Sequence, residues 1–169
     1  MLLYPDEYDL DPKDGYPKAE DFTVSGRERG KGEGVYTKKP FERGQLIARI
    51  TGNIVPRLRQ HTLQITPTTH LHDQYFTGFL LHSCSPNVLL DMREFEVWAL
   101  RDIEAGQALT MDYASTEDVL YRQFPCLCGT PNCRYWITGR KELVSEEGRT
   151  HIASELDKVG RDSTEIVTV

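Results

Sequence analysis

Phe124-Pro125-Cys126-Leu127-Cys128-Gly129-Thr130-Pro131-Asn132-Cys133 places three of the chain's four cysteines within one short segment. The fourth, Cys84, lies far upstream in Phe79-Leu80-Leu81-His82-Ser83-Cys84-Ser85-Pro86-Asn87. A structural zinc ion takes four ligands at tetrahedral corners, and four thiolates are a common set. Three clustered thiolates cannot close such a site, so the fold must bring in a distant fourth, and one cysteine remains with none left over. The pattern therefore points to zinc held by Cys84, Cys126, Cys128 and Cys133. Four free thiols in a reducing compartment, or two disulfides, are the other readings of the same residues.

The residues around the cysteines carry a family resemblance. His82-Ser83-Cys84-Ser85-Pro86-Asn87 resembles the asparagine-histidine-serine-cysteine signature of the SET domain, the protein-lysine methyltransferase fold. Ala99-Leu100-Arg101-Asp102-Ile103-Glu104-Ala105-Gly106, leading into Leu109-Thr110-Met111-Asp112-Tyr113, resembles its closing motif. Gly30-Lys31-Gly32-Glu33-Gly34-Val35-Tyr36 resembles its first motif, and the run from Phe124 to Cys133 resembles its post-SET segment. Order and spacing agree across residues 22–140. The compact layout between the first and third motifs, around Gln64-Ile65 and His70-Leu71, is similar to small stand-alone SET proteins.

That resemblance implies a mainly β fold of short strands with a pseudoknot-like closure. It divides the chain into an acidic arm (1–21), a SET domain (22–119), a post-SET zinc segment (120–140) and a C-terminal helix and tail (141–169). It implies S-adenosylmethionine as cofactor, met by Gly32, Glu33, Gly34, Leu81 and His82, with Tyr113 as the catalytic residue. It also implies one structural Zn²⁺, with Cys84 closing the post-SET site, and a protein or peptide lysine as substrate. Methyl transfer from a sulfonium to an amine is an in-line displacement that depends chiefly on positioning. A narrow channel also strips water from the lysine, which favours the neutral, nucleophilic amine.

Several positions depart from the family pattern. Leu81 stands where asparagine is usual, Ala108 replaces a glutamate, Gly78 an arginine, and Ile50 a tyrosine beside the lysine channel. Loss of an acid at 108 and a base at 78 reads as a structural pair discarded together. Met111 occupies a position where an aromatic residue influences how many methyls are added, and a flexible thioether gives no reading of that number. Two alternatives to the enzyme reading follow: a catalytically silent SET fold used as a binding module, and a SET fold recruited to a small-molecule reaction.

Several features have a plain structural reading. The glycine-rich run lacks the third glycine and following helix of a dinucleotide fingerprint. His70 and His72 are read as strand and loop residues, and Trp98 as core. Tyr135 and Trp136 either wall the channel or pack the zinc loop, with Tyr121 and Phe124 as weaker candidates.

With 169 residues, 38% hydrophobic and 27% charged, the chain is long enough for one domain with a real core. The net charge of −6 belongs to the ends: residues 1–21 carry seven acids against two bases. There is no Lys/Arg stripe of the nucleic-acid-binding kind, so direct nucleic-acid binding is not expected. No apolar run reaches membrane-spanning length, and Asp6 interrupts any secretory signal, so the expected place is cytoplasmic or nuclear. The arm reads as loose. Strand character falls on Gly34–Thr37, Gln45–Thr51, His61–Ile65, Val88–Leu90 and Glu96–Ala99, separated by polar turns. In the tail, Ile152, Leu156 and Val159 fall at helical spacing, with Thr150 as a cap and Gly160 as a stop.

Overall fold

The computed structural model describes residues 1–26 and 32–165, with side chains through residue 161. Gly30 and Lys31 of the glycine-rich motif lie outside the described residues. Twelve short strands and one helix follow in chain order: β1 (Phe22–Ser25), β2 (Gly34–Thr37), β3 (Leu46–Arg49), β4 (Asn53–Val55), β5 (Thr62–Thr66), β6 (Thr69–His72), β7 (Leu81–His82), β8 (Val88–Asp91), β9 (Glu96–Ala99), β10 (Thr110–Met111), β11 (Phe124–Pro125), β12 (Trp136–Ile137) and α1 (Glu146–Glu165). They assemble as small sheets: β3-β9-β8, β4-β6-β5, the β1-β2 hairpin, and the β7-β10 and β11-β12 pairs.

Two strands, β8 and β9, obey the two-residue period of a half-buried sheet, whereas β2 is buried throughout. In β9, Val97 and Ala99 face the core while Glu96 and Trp98 face outward. Trp98 is therefore not core as its size predicts: its indole Nε1–H donates to Glu96 at 3.1 Å, over the outer face. In β8, Val88 and Leu90 are buried and Leu89 is exposed. The main core joins Val35, Phe41, Phe76, Leu80, Val97, Ile103 and Leu109.

The closure is the feature that positions the site. Residues 106–111 are gripped from two sides. On one side, Leu109 N–H donates to Val35 O at 2.8 Å, and Tyr36 bridges Ala108. On the other, β10 pairs parallel with β7, Thr110 opposite Leu81 and Met111 opposite His82. Ser83 N–H extends that grip to Met111 O at 2.9 Å. Segments distant in sequence thus meet at one crossing, the pseudoknot-like arrangement that the motifs imply.

The acidic arm is ordered, contrary to expectation. Leu2 bridges Lys18, and Tyr4 is buried among Tyr8, Tyr16 and Tyr75 with ring centroids 5.6, 6.3 and 5.8 Å away. Tyrosine carries enough apolar area to dock a segment whose composition is otherwise polar. The Tyr4 hydroxyl donates to Asp73, a fully buried carboxylate that also accepts Tyr75 N–H, Phe76 N–H, Thr77 N–H and the Thr77 hydroxyl. Asp73→Ala should strand these five donors and release the arm. By the usual cost of uncompensated buried polar groups, the loss should be about 3–5 kcal/mol. Thermal unfolding of the variant against wild type measures it, and a shift within that of an ordinary surface substitution would refute the role.

α1 also differs from expectation. It begins near Ser145, whose hydroxyl accepts Gly148 N–H at 3.1 Å, rather than at Thr150, and it runs through Gly160. Leu156 and Val159 are 55% and 51% exposed, while Ile152 nearer the helix start is half-buried, so the far end of the predicted stripe stays largely in solvent. The helix packs instead through its first turns: the Trp136 indole fills the space where a Gly148 side chain would begin, and His151 lies 5.7 Å from that ring. A bulky ring supplies more contact than the sparse aliphatic stripe, which explains the shift.

Candidate functional site

A cavity of about 520 Å³ opens beside the crossing. Gly32, Glu33 and Leu81 line it at the first-motif end. Thr62, Leu63, Thr77 and Leu80 line it from the sheet side, and Met111 and Tyr113 from the closing motif. Leu120, Tyr121 and Phe124 also line it. The weaker aromatic candidates, Tyr121 and Phe124, therefore face the cavity. Tyr135 and Trp136 do not line it; Trp136 is buried under α1, with its Nε1–H donated to Gln123 at 2.9 Å.

Tyr113 follows β10 at the start of a 3-10 turn capped by Asp112, whose carboxylate accepts Ala114 N–H. The Tyr113 hydroxyl donates to the Leu80 carbonyl at 2.7 Å. Burial, with the Glu117 charge adding to it, pushes the phenol up to about 12, so the hydroxyl stays protonated at neutral pH. It can orient a reacting group but is a poor proton acceptor.

His82 sits between Tyr113 and the thiols. Its Nδ1 accepts the Tyr113 backbone N–H at 3.2 Å, and its Nε2 lies 3.5 Å from Cys84 Sγ. Burial pushes the imidazole down to about 4, so the ring is neutral. A neutral ring that accepts at Nδ1 carries its proton on Nε2, aimed at the thiol sulfur. The ring also meets Tyr113 and Phe124 edge-on at 5.2 and 5.9 Å. His82 thus couples Tyr113 to the cysteine cluster, a role for its side chain that the motif alone did not express.

Two glycines have explanations the sequence lacked. A side chain at Gly34 would begin 2.8 Å from Leu81 Cδ1, so Leu81 occupies the space that Gly34 leaves open. Gly34 supports the cavity wall from behind, while Gly32, with φ of +77° and open space around it, stands on the wall itself. At Gly78 a side chain would collide with the Asp73 carbonyl. Position 78 is glycine because two backbones touch there, which accounts for it without a discarded ion pair. Ile50 is buried in the main core.

The four thiols converge. All four Sγ atoms lie within 4.8 Å of one another, and Cys84 and Cys126 are 3.8 Å apart. A tetrahedral ion with Zn–S bonds of about 2.3 Å places its sulfurs about 3.8 Å apart, so the set fits zinc. Arg134 N–H and Tyr135 N–H point at Cys84 and Cys133 at 3.3 and 3.4 Å, as donors to thiolates would. Cys84, Cys126, Leu120 and Ile137 form a second small core around them. The Arg134 guanidinium is forked onto Asp112 at 2.7 and 2.6 Å, tying the cysteine loop back to the closing motif. All four cysteines are free, so the two-disulfide reading does not hold.

The buried acid of the cavity belonged to no motif. Glu117, 5% exposed, lines the wall four positions after Tyr113, and its carboxylate accepts Gln64 N–H at 2.8 and 3.2 Å. Nothing in its sequence neighbourhood marks it. Only its distance from the closing tyrosine would have drawn attention.

Comparison with known proteins agrees with this architecture. The family model described as SET domain matches residues 32–114. A methyltransferase of Aspergillus flavus, flvH, is 34% identical over 103 residues, 59% of this chain and 58% of its own. The histone-lysine N-methyltransferase ash1 of Drosophila melanogaster is 32% identical over 139 residues, 68% of this chain but 6% of its own. The crystal structure of KRYPTONITE in complex with mCHG DNA and SAH superposes with a TM-score of 0.55 at 25% identity, over 68% of this chain and 29% of that one. The methyltransferase domain of human SETMAR gives a TM-score of 0.56 at 19% identity, over 70% of this chain and 58% of that one, a likeness of fold. The chain thus spans little more than half of flvH and a small part of ash1.

A β-rich chain whose closing motif is gripped between two strands, with a cavity at the crossing and a thiol cluster beside it, has the architecture of the SET methyltransferases. Residues 32–114 of this chain match the SET domain. Among the described residues, no helix is long and apolar enough to cross a membrane.

Proposed function

We propose that the chain is an S-adenosylmethionine-dependent methyltransferase acting on lysine side chains of a protein or peptide, with a structural zinc ion held by Cys84, Cys126, Cys128 and Cys133. The observation that carries this reading is the Tyr113 hydroxyl, anchored on the Leu80 carbonyl in the wall of a cavity that also reaches Gly32, Glu33 and Leu81. The histone-lysine N-methyltransferase activity named for ash1 and the SAH bound to KRYPTONITE support the same chemistry.

When bound, the cofactor would supply an electrophilic methyl on a sulfonium. Gly32, Glu33, Gly34, Leu81 and His82 are the residues assigned to hold it, of which Gly32, Glu33 and Leu81 line the cavity. Tyr113 then does positioning work: its hydroxyl, already fixed by Leu80, keeps its lone pairs free to align the incoming groups. His82 fixes the Tyr113 backbone. Leu63, Leu80, Met111 and Phe124 exclude water, which favours the neutral amine.

A second reading has one observation behind it. Arg59 and Arg122, both exposed, line the same cavity and would repel a Lys/Arg-rich tail. They favour an amine that also carries a carboxylate, such as a small amino acid. One experiment addresses both readings. Calorimetry with S-adenosylmethionine is followed by radiolabelled transfer to a basic peptide array and, in parallel, to free amino acids. Binding with label on peptides is expected. Label on free amino acids alone would move the assignment to the small molecule, and absence of cofactor binding would leave only a silent binding module.

A further inference from the structure

Methyl transfer to an amine leaves a proton to be placed. An amine of lysine type enters as ammonium at neutral pH, and the protonated Tyr113 phenol cannot accept from it. The cavity offers a better group. Glu117 lines it with its carboxylate almost wholly buried, close enough for its charge to act on the Tyr113 phenol. The Glu117 backbone N–H donates to Tyr113 O at 3.0 Å, so the two residues belong to one rigid turn. The cations nearby are engaged elsewhere: Arg140 and Lys141 bind Asp118 at 2.6 and 3.0 Å. Among the described residues, the hydrogen bonds to the Glu117 carboxylate come from Gln64 N–H, which leaves acceptor capacity on both oxygens.

We propose that Glu117 receives the substrate amine in this cavity and accepts its proton before methyl transfer. The proposal rests on the methyltransferase reading of the cavity and adds the group that makes the nucleophile. The ammonium N–H bond breaks, its electron pair stays on nitrogen, and the proton bonds to a Glu117 oxygen. The neutral amine attacks the methyl carbon of the sulfonium donor, the C–S bond breaks, and its pair leaves on sulfur. Glu117 returns the proton to water through the open side of the cavity.

The electrostatic setting supports the role. Burial pushes the Glu117 carboxyl up to about 7, opposed by the Gln64 N–H and the Arg140 charge and reinforced by Asp118. Of the other charged or titratable groups on the cavity, Arg59, Tyr121, Arg122 and Glu33 are exposed, and the His61 ring bonds Gly78 O through Nδ1. A base poised near the working pH is the efficient choice for such a transfer. The sign is definite: the carboxylate that attracts the amine forms as pH rises through about 7.

Glu117→Gln keeps the Gln64 hydrogen bond and removes the charge. Calorimetry on the full chain with n-butylamine, an analogue of the lysine side chain, needs no methyl donor. At about pH 8.5 wild type should bind roughly 10- to 100-fold tighter than E117Q, the effect of one charge-assisted hydrogen bond. At about pH 5.5 the two should match. Equal binding at both pH values overturns the proposal. Turnover gives a second readout: the limb of kcat/KM with an apparent pKa near 7 should vanish in E117Q, with a fall of about 10²-fold or more. A retained limb overturns it too. Should E117Q not fold, a ¹³C carboxyl titration of wild type decides: butylamine should lower the pKa of the resonance titrating near 7, and no change counts against Glu117. Absence of turnover in wild type would count against the methyltransferase reading alone, because amine binding is measured separately.

Discussion

Tyr113→Phe should leave a folded chain with its metal and cofactor binding intact and methyl transfer reduced by about 10²-fold or more, comparable to removing one preorganised hydrogen-bonding group from an active site. The substitution removes one oxygen and almost no volume. Among the described residues the partner of that oxygen is the Leu80 carbonyl, and losing one such bond costs about 1 kcal/mol of stability. The Tyr113 backbone remains held by His82, since that contact uses the N–H and not the phenol. The loss should therefore appear in kcat more than in KM, as for a group that acts mainly in the transition state. Radiolabelled transfer by wild type and variant on the same substrate measures it. Equal rates would remove Tyr113 from the mechanism.

Cys84→Ser should have the largest structural effect. The wild-type chain is expected to hold about one zinc, and the variant to hold none at comparable concentration, since structural zinc sites contribute on the order of 10 kcal/mol or more to the folded state. The reason lies in the geometry: Cys84 is 3.8 Å from Cys126 and 42 positions away in sequence, so removing it opens the site on its far side. The consequences should spread. Asn132 donates to the Cys84 carbonyl and Arg134 N–H to its sulfur, and the Arg134 fork holds Asp112 beside Tyr113. Hydrogen exchange should therefore quicken across residues 120–140 and into the turn at Tyr113. Metal analysis by plasma mass spectrometry settles the first part, and full zinc content in the variant would overturn the four-thiolate site.

Strands of four or five residues set between polar turns were legible in the sequence. Gly34–Thr37 and Glu96–Ala99 form over the expected bounds, and the expected segments around 45–51, 61–65 and 88–90 all hold strands. The short pieces were not legible. β7, β10, β11 and β12 are two residues each, too brief for any period, and they exist because partners far along the chain supply their hydrogen bonds. The arm misled for a related reason. Its composition is that of a loose segment, yet Tyr4 reaches Asp73 across 69 positions and anchors it. In the tail, periodicity was real but weak, and the Trp136 ring captured the face containing Gly148 and His151 instead.

By itself the sequence determined which chemistry was available: four thiols and no more, one tyrosine ending the closing motif, glycines at the first motif, and a β-rich chain able to bring them together. Only the tertiary structure decided what each does. It showed that Gly34 yields its space to Leu81, that Gly78 lets two backbones touch, and that His82 joins Tyr113 to the thiols through its ring. It also brought Glu117 to Gln64 across 53 positions and buried it in the cavity. The physical reason is that a residue's type is local, whereas burial, the loss of water around a charge and the partner of a hydrogen bond are set by segments that meet only after the chain has closed on itself.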